Sequence, residues 1–198
     1  PTKHQYDFDS ANVFAFLQKY GIEKEFKLNV EVNHAILAKH TFEHEIAYAI
    51  SNNILGSIDI NRGDYLVGWD TDQFPNNVEE LVLPFYYIFK NGGLGNGGLN
   101  MDAKIRRQSI DPEDLFYAHI GSMDTCARTL IAVEKMMNDG SYDNFLQQRY
   151  QGWESNKELI NSESLDSIYQ RVKSENINPN PRSGRQEYLE NLINSFIE

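Results

Sequence analysis

The feature that most constrains this chain is an alternation repeated three times, in which a short β-rich run gives way to a helical stretch. Phe26 to Val32 is the first run, and Thr41 to Asn53 then takes helical spacing through Phe42, Ile46, Ala49 and Ile50. Gly56-Ser57-Ile58-Asp59-Ile60 is the second. A polar loop ending near Pro75 follows it, then a helical face of Val78, Leu81, Val82, Phe85 and Phe89 in which Pro84 is expected to introduce a bend. Gly97 to Asp102 is the third, ahead of a long helix that Asp111-Pro112-Glu113-Asp114 opens and that runs to about Asp139. A further helix precedes them all, with Asp9-Ser10 as its cap, Val13, Phe14, Leu17 and Tyr20 as its apolar face, and Gly21 as its stop.

This order predicts an α/β fold with parallel strands covered by helices. Three strands are too few to close a sheet, and open edges invite pairing, so the chain is expected to form a homo-oligomer of two or more copies. Beyond Asn144 the pattern changes to helical patches at Leu165, Ile168 and Val172, a break around Pro179 and Pro181, and a last amphipathic helix carrying Leu189, Leu192, Ile193 and Phe196. The expected division is therefore a partial barrel over residues 1–140 and a helical tail for subunit contacts over 141–198.

With 198 residues and 40% hydrophobic content, the chain can bury a single core. Its 29 acidic against 18 basic residues give a net charge of -11, which repels phosphate backbones and anionic membranes, so neither nucleic acid nor membrane is an expected partner. A lone cysteine, Cys126, excludes an internal disulfide and reads as a small core residue beside Met123 and Leu130. Together with the absence of a long apolar run, and of a signal-type stretch at Pro1 to His4, this places the chain in the cytoplasm as an expectation.

Each β-run carries an acidic residue at or next to its carboxyl end. Glu31, with His34, closes the first, Asp59 the second and Asp102 the third, while the loop after Asp59 adds Asp64, Asp70 and Asp72. The carboxyl edge of a parallel barrel is where catalytic groups collect. Carboxylates with one imidazole suit Mg2+, Mn2+ or Co2+ better than a structural zinc site. Taken singly, the same residues also fit capped loops on an ordinary α/β domain.

Other patterns read more plainly. His40 and His44 stand four apart but lack the glutamate of a zinc-protease motif directly after the first, and are expected at a helix start. Gly93 to Gly98 satisfies a dinucleotide-type glycine pattern in the wrong context, after a helix and before a strand, and reads as a turn. Lys104, Arg106 and Arg107 are expected to pair with acidic neighbours, and Trp69 either stacks on a sugar or packs in the core.

The segments Lys27 to His34, Asp59 to Asp64, Gly68 to Asp72, Gly98 to Lys104 and Ser183 to Glu187 together resemble the C-terminal portion of a bacterial-type xylose isomerase over essentially the whole chain. The resemblance implies a metal-dependent aldose–ketose isomerase on an eight-stranded TIM-type barrel, of which this chain would hold the last three strands and the tail. It implies one metal site of Glu31, His34, Asp70 and Asp72, and another of Glu31, Asp59 and Asp102 completed by a glutamate upstream of Pro1. It also implies an aldose, xylose, as substrate, and a metal-bound water beside Asp70 that helps move a hydroxyl proton while hydrogen shifts between C1 and C2. The lysine, histidine and aspartate that handle the sugar would come from an N-terminal half, so activity would need assembly or complementation. Without these, the chain would be a catalytically inactive metal-binding or assembly module. Lys39 stands where the family commonly has a small or polar residue, and its cation would either oppose metal binding or partly neutralise the site.

Overall fold

The computed structural model describes residues 6–197, so the start at Pro1 to His4 lies outside the described residues. The chain divides into two compact units, one running up to Glu134 and including Ile197, the other comprising Lys135–Phe196.

The first unit is built on a parallel sheet of β1 (Leu28–Glu31), β2 (Leu55–Asp59) and β3 (Leu99–Asn100), in that spatial order. Register places Glu31 opposite Asp59 and Asp59 opposite Asn100, so all strands end level. Between β1 and β2 lie α2 (Val32–Leu37) and α3 (Phe42–Ser51), and between β2 and β3 lies α4 (Glu79–Lys90). Ahead of the sheet, α1 (Ser10–Tyr20) begins where the Asp9 carboxylate accepts the Asn12 N–H, as its cap pattern predicts.

The core joins the sheet to these helices through Val30, Ile46, Ala49, Ile58, Ile60, Val82 and Tyr86, all buried. The apolar spacing of α3 and α4 delivers this face directly. Pro84 lies inside α4 and is fully buried, its ring part of the packed surface. The glycine-rich run before β3 is the expected turn, and Gly97 has a steric reason to be there. A Cβ at that position would fall 1.9 Å from the Gly56 carbonyl oxygen, so only glycine lets the strand approach β2.

Three expectations change. The first strand stops at Glu31 because α2 starts at Val32, which puts His34 on a helical turn instead of on the strand. Trp69 is 64% exposed, which removes the core-packing reading. Met123 and Leu130 are exposed and Cys126 only half-buried, so that face of α5 (Pro112–Asp139) is not core; burial still pushes the Cys126 thiol pKa upward.

Lys39 ends α2 in the left-handed region at φ 66°, where the His40 N–H reaches the Ala35 carbonyl at 2.9 Å and closes the turn. The position favours glycine for backbone reasons, and the exposed Lys39 side chain makes no ion pair with the acidic residues named above.

The second unit is helical, with α6 (Ser141–Ser155), α7 (Lys157–Ser162), α8 (Leu165–Ser174) and α9 (Gln186–Asn194). Phe145 meets Tyr188 at 6.1 Å between rings, joining α6 to α9, and Arg171 pairs with Glu163 at 3.1 Å. The Pro179 and Pro181 break falls between α8 and α9, as the sequence suggests.

No described helix is long and apolar enough to cross a membrane.

Candidate metal centre

The level strand ends bring together acidic residues that are far apart in sequence. Glu31 is the last residue of β1 and His34 lies one helical turn on, so the imidazole Nε2 sits 3.2 Å from Glu31 Oε2. The loop from Arg62 to Gln73 returns over this edge. Its base is pinned by the paired backbone bonds Arg62 N–H to Gln73 O, 2.8 Å, and Gln73 N–H to Arg62 O, 3.0 Å. That closure sets Asp70 Oδ2 3.4 Å from His34 Nε2.

Two donor groups result, each with its ligand atoms within 4.8 Å of one another: Glu31, His34 and Asp70, and Glu31, Asp59 and Asp102. Glu31 belongs to both. Asp72 stands beside Asp70 but directs Oδ2 to the Lys104 ammonium at 2.6 Å, so it is tied to a cation and lies outside both groups. Asp64 is turned to the loop itself, accepting the Leu66 and Val67 N–H groups.

Asparagines hold these carboxylates in place. Asn61, only 1% exposed, donates to Glu31 Oε1 at 2.8 Å and to the Asp102 carbonyl at 2.9 Å, while its own oxygen accepts the Asn33 N–H at 2.8 Å. Asn29 and Asn100, on the flanking strands, donate to the two oxygens of Asp59 at 2.6 and 3.1 Å. Asn33 gives its amide to Asp70 and, at 3.3 Å, to Asp72.

Of the basic cluster, Lys104 makes the acidic pair expected, whereas Arg106 donates to the carbonyls of Thr71, Asp72 and Lys104 and thereby fixes the loop. The sequence pattern marks none of the asparagines, because an amide in a loop or strand carries no periodic signal. The parity of the strand ends is the clue that could have found Asn29 and Asn100.

Crowding raises the cost of charge. Burial pushes the Glu31 carboxyl up to about 7, helped by the charges of Asp70 and Asp72 and opposed by the Asn61 bond and His34. Asp70 is also raised, chiefly by burial and then by Asp72, whereas hydrogen bonds and the Lys104 charge outweigh burial to bring Asp72 down to about 2. A divalent cation would relieve this repulsion, and a donor set of hard oxygens with a single imidazole fits one.

The Asn33 carbonyl oxygen is buried without a hydrogen-bond partner, a penalty of about 1–3 kcal/mol accepted while the amide is aimed at Asp70. Gly63 is what makes room for it, since a Cβ there would lie 2.0 Å from that oxygen and 3.3 Å from Ile36 Cδ1. Gly63→Ala is therefore expected to destabilise the chain by about 1–3 kcal/mol and to weaken Mn2+ binding, read by thermal unfolding and calorimetric titration. Unchanged values in both would show that Asn33 has no positioning role.

Comparison with known proteins gives this edge a context. Residues 146–197 match the family described as the XylA2 C-terminal domain. The whole chain is 58% identical to a xylose isomerase of Ruegeria sp. (strain TM1040) and 58% identical to one of Cereibacter sphaeroides (strain ATCC 17025 / ATH 2.4.3), covering 46% of each. A xylose isomerase of Brucella canis (strain ATCC 23365 / NCTC 10854 / RM-666) is 55% identical, again with 46% covered. The chain thus spans about half the length of the curated relatives it matches. Along its entire length, this chain matches the C-terminal part of the xylose isomerase family.

Proposed function

We propose that this chain is the metal-holding C-terminal part of an aldose–ketose isomerase that converts xylose to xylulose. The observation that carries the reading is the pair of donor groups sharing Glu31 at the carboxyl ends of parallel strands. The sheet then represents part of a TIM-type barrel. Mg2+, Mn2+ or Co2+ is the cation, held by Glu31, His34 and Asp70 with Asp72 alongside, and by Glu31, Asp59 and Asp102.

Bound there, the cation supplies Lewis acidity toward the oxygens of an open-chain sugar. The chain's own residues do the positioning. Asn61 orients Glu31, Asn33 orients Asp70, and Lys104 balances Asp72. Asp70, beside His34 at the edge of this group, is placed to help move a hydroxyl proton as hydrogen passes between C1 and C2.

Asp70 is 44% exposed and Asp102 lies at the surface, so the site needs further walls to exclude water. These come from other copies or from an N-terminal half, and the exposed Phe116, Ile120 and Met123 on α5 are apolar surface available for such assembly. The same openness favours a second reading, a metal-binding or assembly module without turnover.

Conversion of xylose to xylulose by the pure chain with Mn2+ or Mg2+, with Glu31→Ala as the contamination control, separates the two. Turnover lost in the variant supports the isomerase reading. Absence of turnover with metal still bound supports the silent module.

A further inference from the structure

The pair of histidines at the start of α3 does more than begin a helix. His40 precedes the cap residue Thr41, whose hydroxyl accepts the His44 N–H at 3.1 Å, so both imidazoles leave the same end of the helix with ring centres 4.5 Å apart. Between them projects Glu45, whose side chain is only 4% exposed. One oxygen of Glu45 accepts the Ser10 N–H at 2.7 Å. The other lies 2.6 Å from His40 Nδ1 and 4.0 Å from His44 Nε2.

Among the described residues no lysine or arginine pairs with this carboxylate. A desolvated carboxylate needs hydrogen bonds or positive charge nearby; the Ser10 N–H and His40 supply the first, and the two imidazoles can supply the second by holding a cation jointly with it. His40, His44 and Glu45 offer ligand atoms that all lie within 4.8 Å of one another. Bonds of about 2.0–2.1 Å at a tetrahedral angle place neighbouring ligand atoms roughly 3.3 Å apart, so a cation would replace the 2.6 Å His40–Glu45 hydrogen bond, widening that separation and drawing His44 Nε2 in from 4.0 Å.

The backbone is already set for the purpose. His40 is fixed by its N–H bond to Ala35, His44 by the cap, and Glu45 by Ser10. His44, 52% exposed, leaves the site open to solvent and to a water as fourth ligand.

We propose that His40, His44 and Glu45 form a separate cation site selective for a borderline, imidazole-seeking divalent ion of the Zn2+ type. Two imidazoles with one carboxylate strongly favour such an ion over Mg2+, whereas the strand-end site, rich in carboxylates, discriminates less and is held by Mg2+ in excess. The proposal does not depend on the isomerase reading.

The test is calorimetric titration of the chelator-stripped full chain with Zn2+ in excess Mg2+, which occupies the strand-end site. A single Zn2+ equivalent is expected, retained in Glu31→Ala and weakened about tenfold or more in His44→Gln and in His40→Gln. Circular dichroism shows whether those variants keep the fold. Imidazole resonances in the unsubstituted chain give an independent reading, with His40 and His44 shifting on Zn2+ addition. Zn2+ binding that disappears in Glu31→Ala, that is unchanged in His44→Gln, or that leaves both imidazole resonances in place would overturn the proposal and leave a purely structural histidine–glutamate contact.

Discussion

Glu31→Gln is expected to stabilise the chelator-treated protein at pH 8 while removing most of its Mn2+ affinity. In the folded chain the Glu31 carboxyl is pushed up to about 7 by burial, then by its acidic neighbours, against an ordinary value of 4.5. Between those two pH values the folded state holds a proton that the unfolded state has released. Stability therefore falls as pH rises through this window, and the whole penalty is present above about 7. Glutamine keeps an oxygen to accept the Asn61 amide and carries no charge, so the variant should gain on the order of 2 kcal/mol at pH 8 and almost nothing at pH 4. Chemical denaturation at the two pH values checks this. A variant less stable than the parent at pH 8 would mean that the Glu31 charge is satisfied within the protein and needs no cation.

The second large effect is on metal affinity itself. A cation can use Glu31 only after its proton has gone, so Mn2+ affinity should drop by up to about tenfold for each pH unit below 7 and level off above about 8. Calorimetry across that range, in buffers of different ionisation enthalpy, should also detect the released proton. An affinity independent of pH from 6 to 8 would place the ion away from Glu31.

Most elements of the first unit were legible because each carries its own signal. The α1 cap, the apolar faces of α3 and α4, the β-rich run of β1 and the β-branched run of β2 depend on local residue type and spacing alone. α2 was not legible. Val32 to Leu37 is a short stretch with a β-branched start, and its helix is imposed by the turn at Lys39 and by packing, since five of its six residues are buried.

The acidic residues of the site were readable from their place at the ends of the β-runs, yet their relations were not. That Glu31 is shared, that Asp72 belongs to Lys104, and that Asn33 and Asn61 aim the carboxylates all arise from the long-range return of the Arg62 to Gln73 loop. Glu45 was hidden for the same reason, since its meaning comes from Ser10 on another helix.

The most direct measurement is Mn2+ titration of the chelator-treated chain beside Asp70→Ala, Asp59→Ala and Glu31→Ala. Two equivalents are expected in the parent, with Asp70→Ala and Asp59→Ala each losing a different one and Glu31→Ala losing both, because Glu31 is common to both donor groups. Mn2+ affinity left unchanged in both Glu31→Ala and Asp70→Ala would contradict the site.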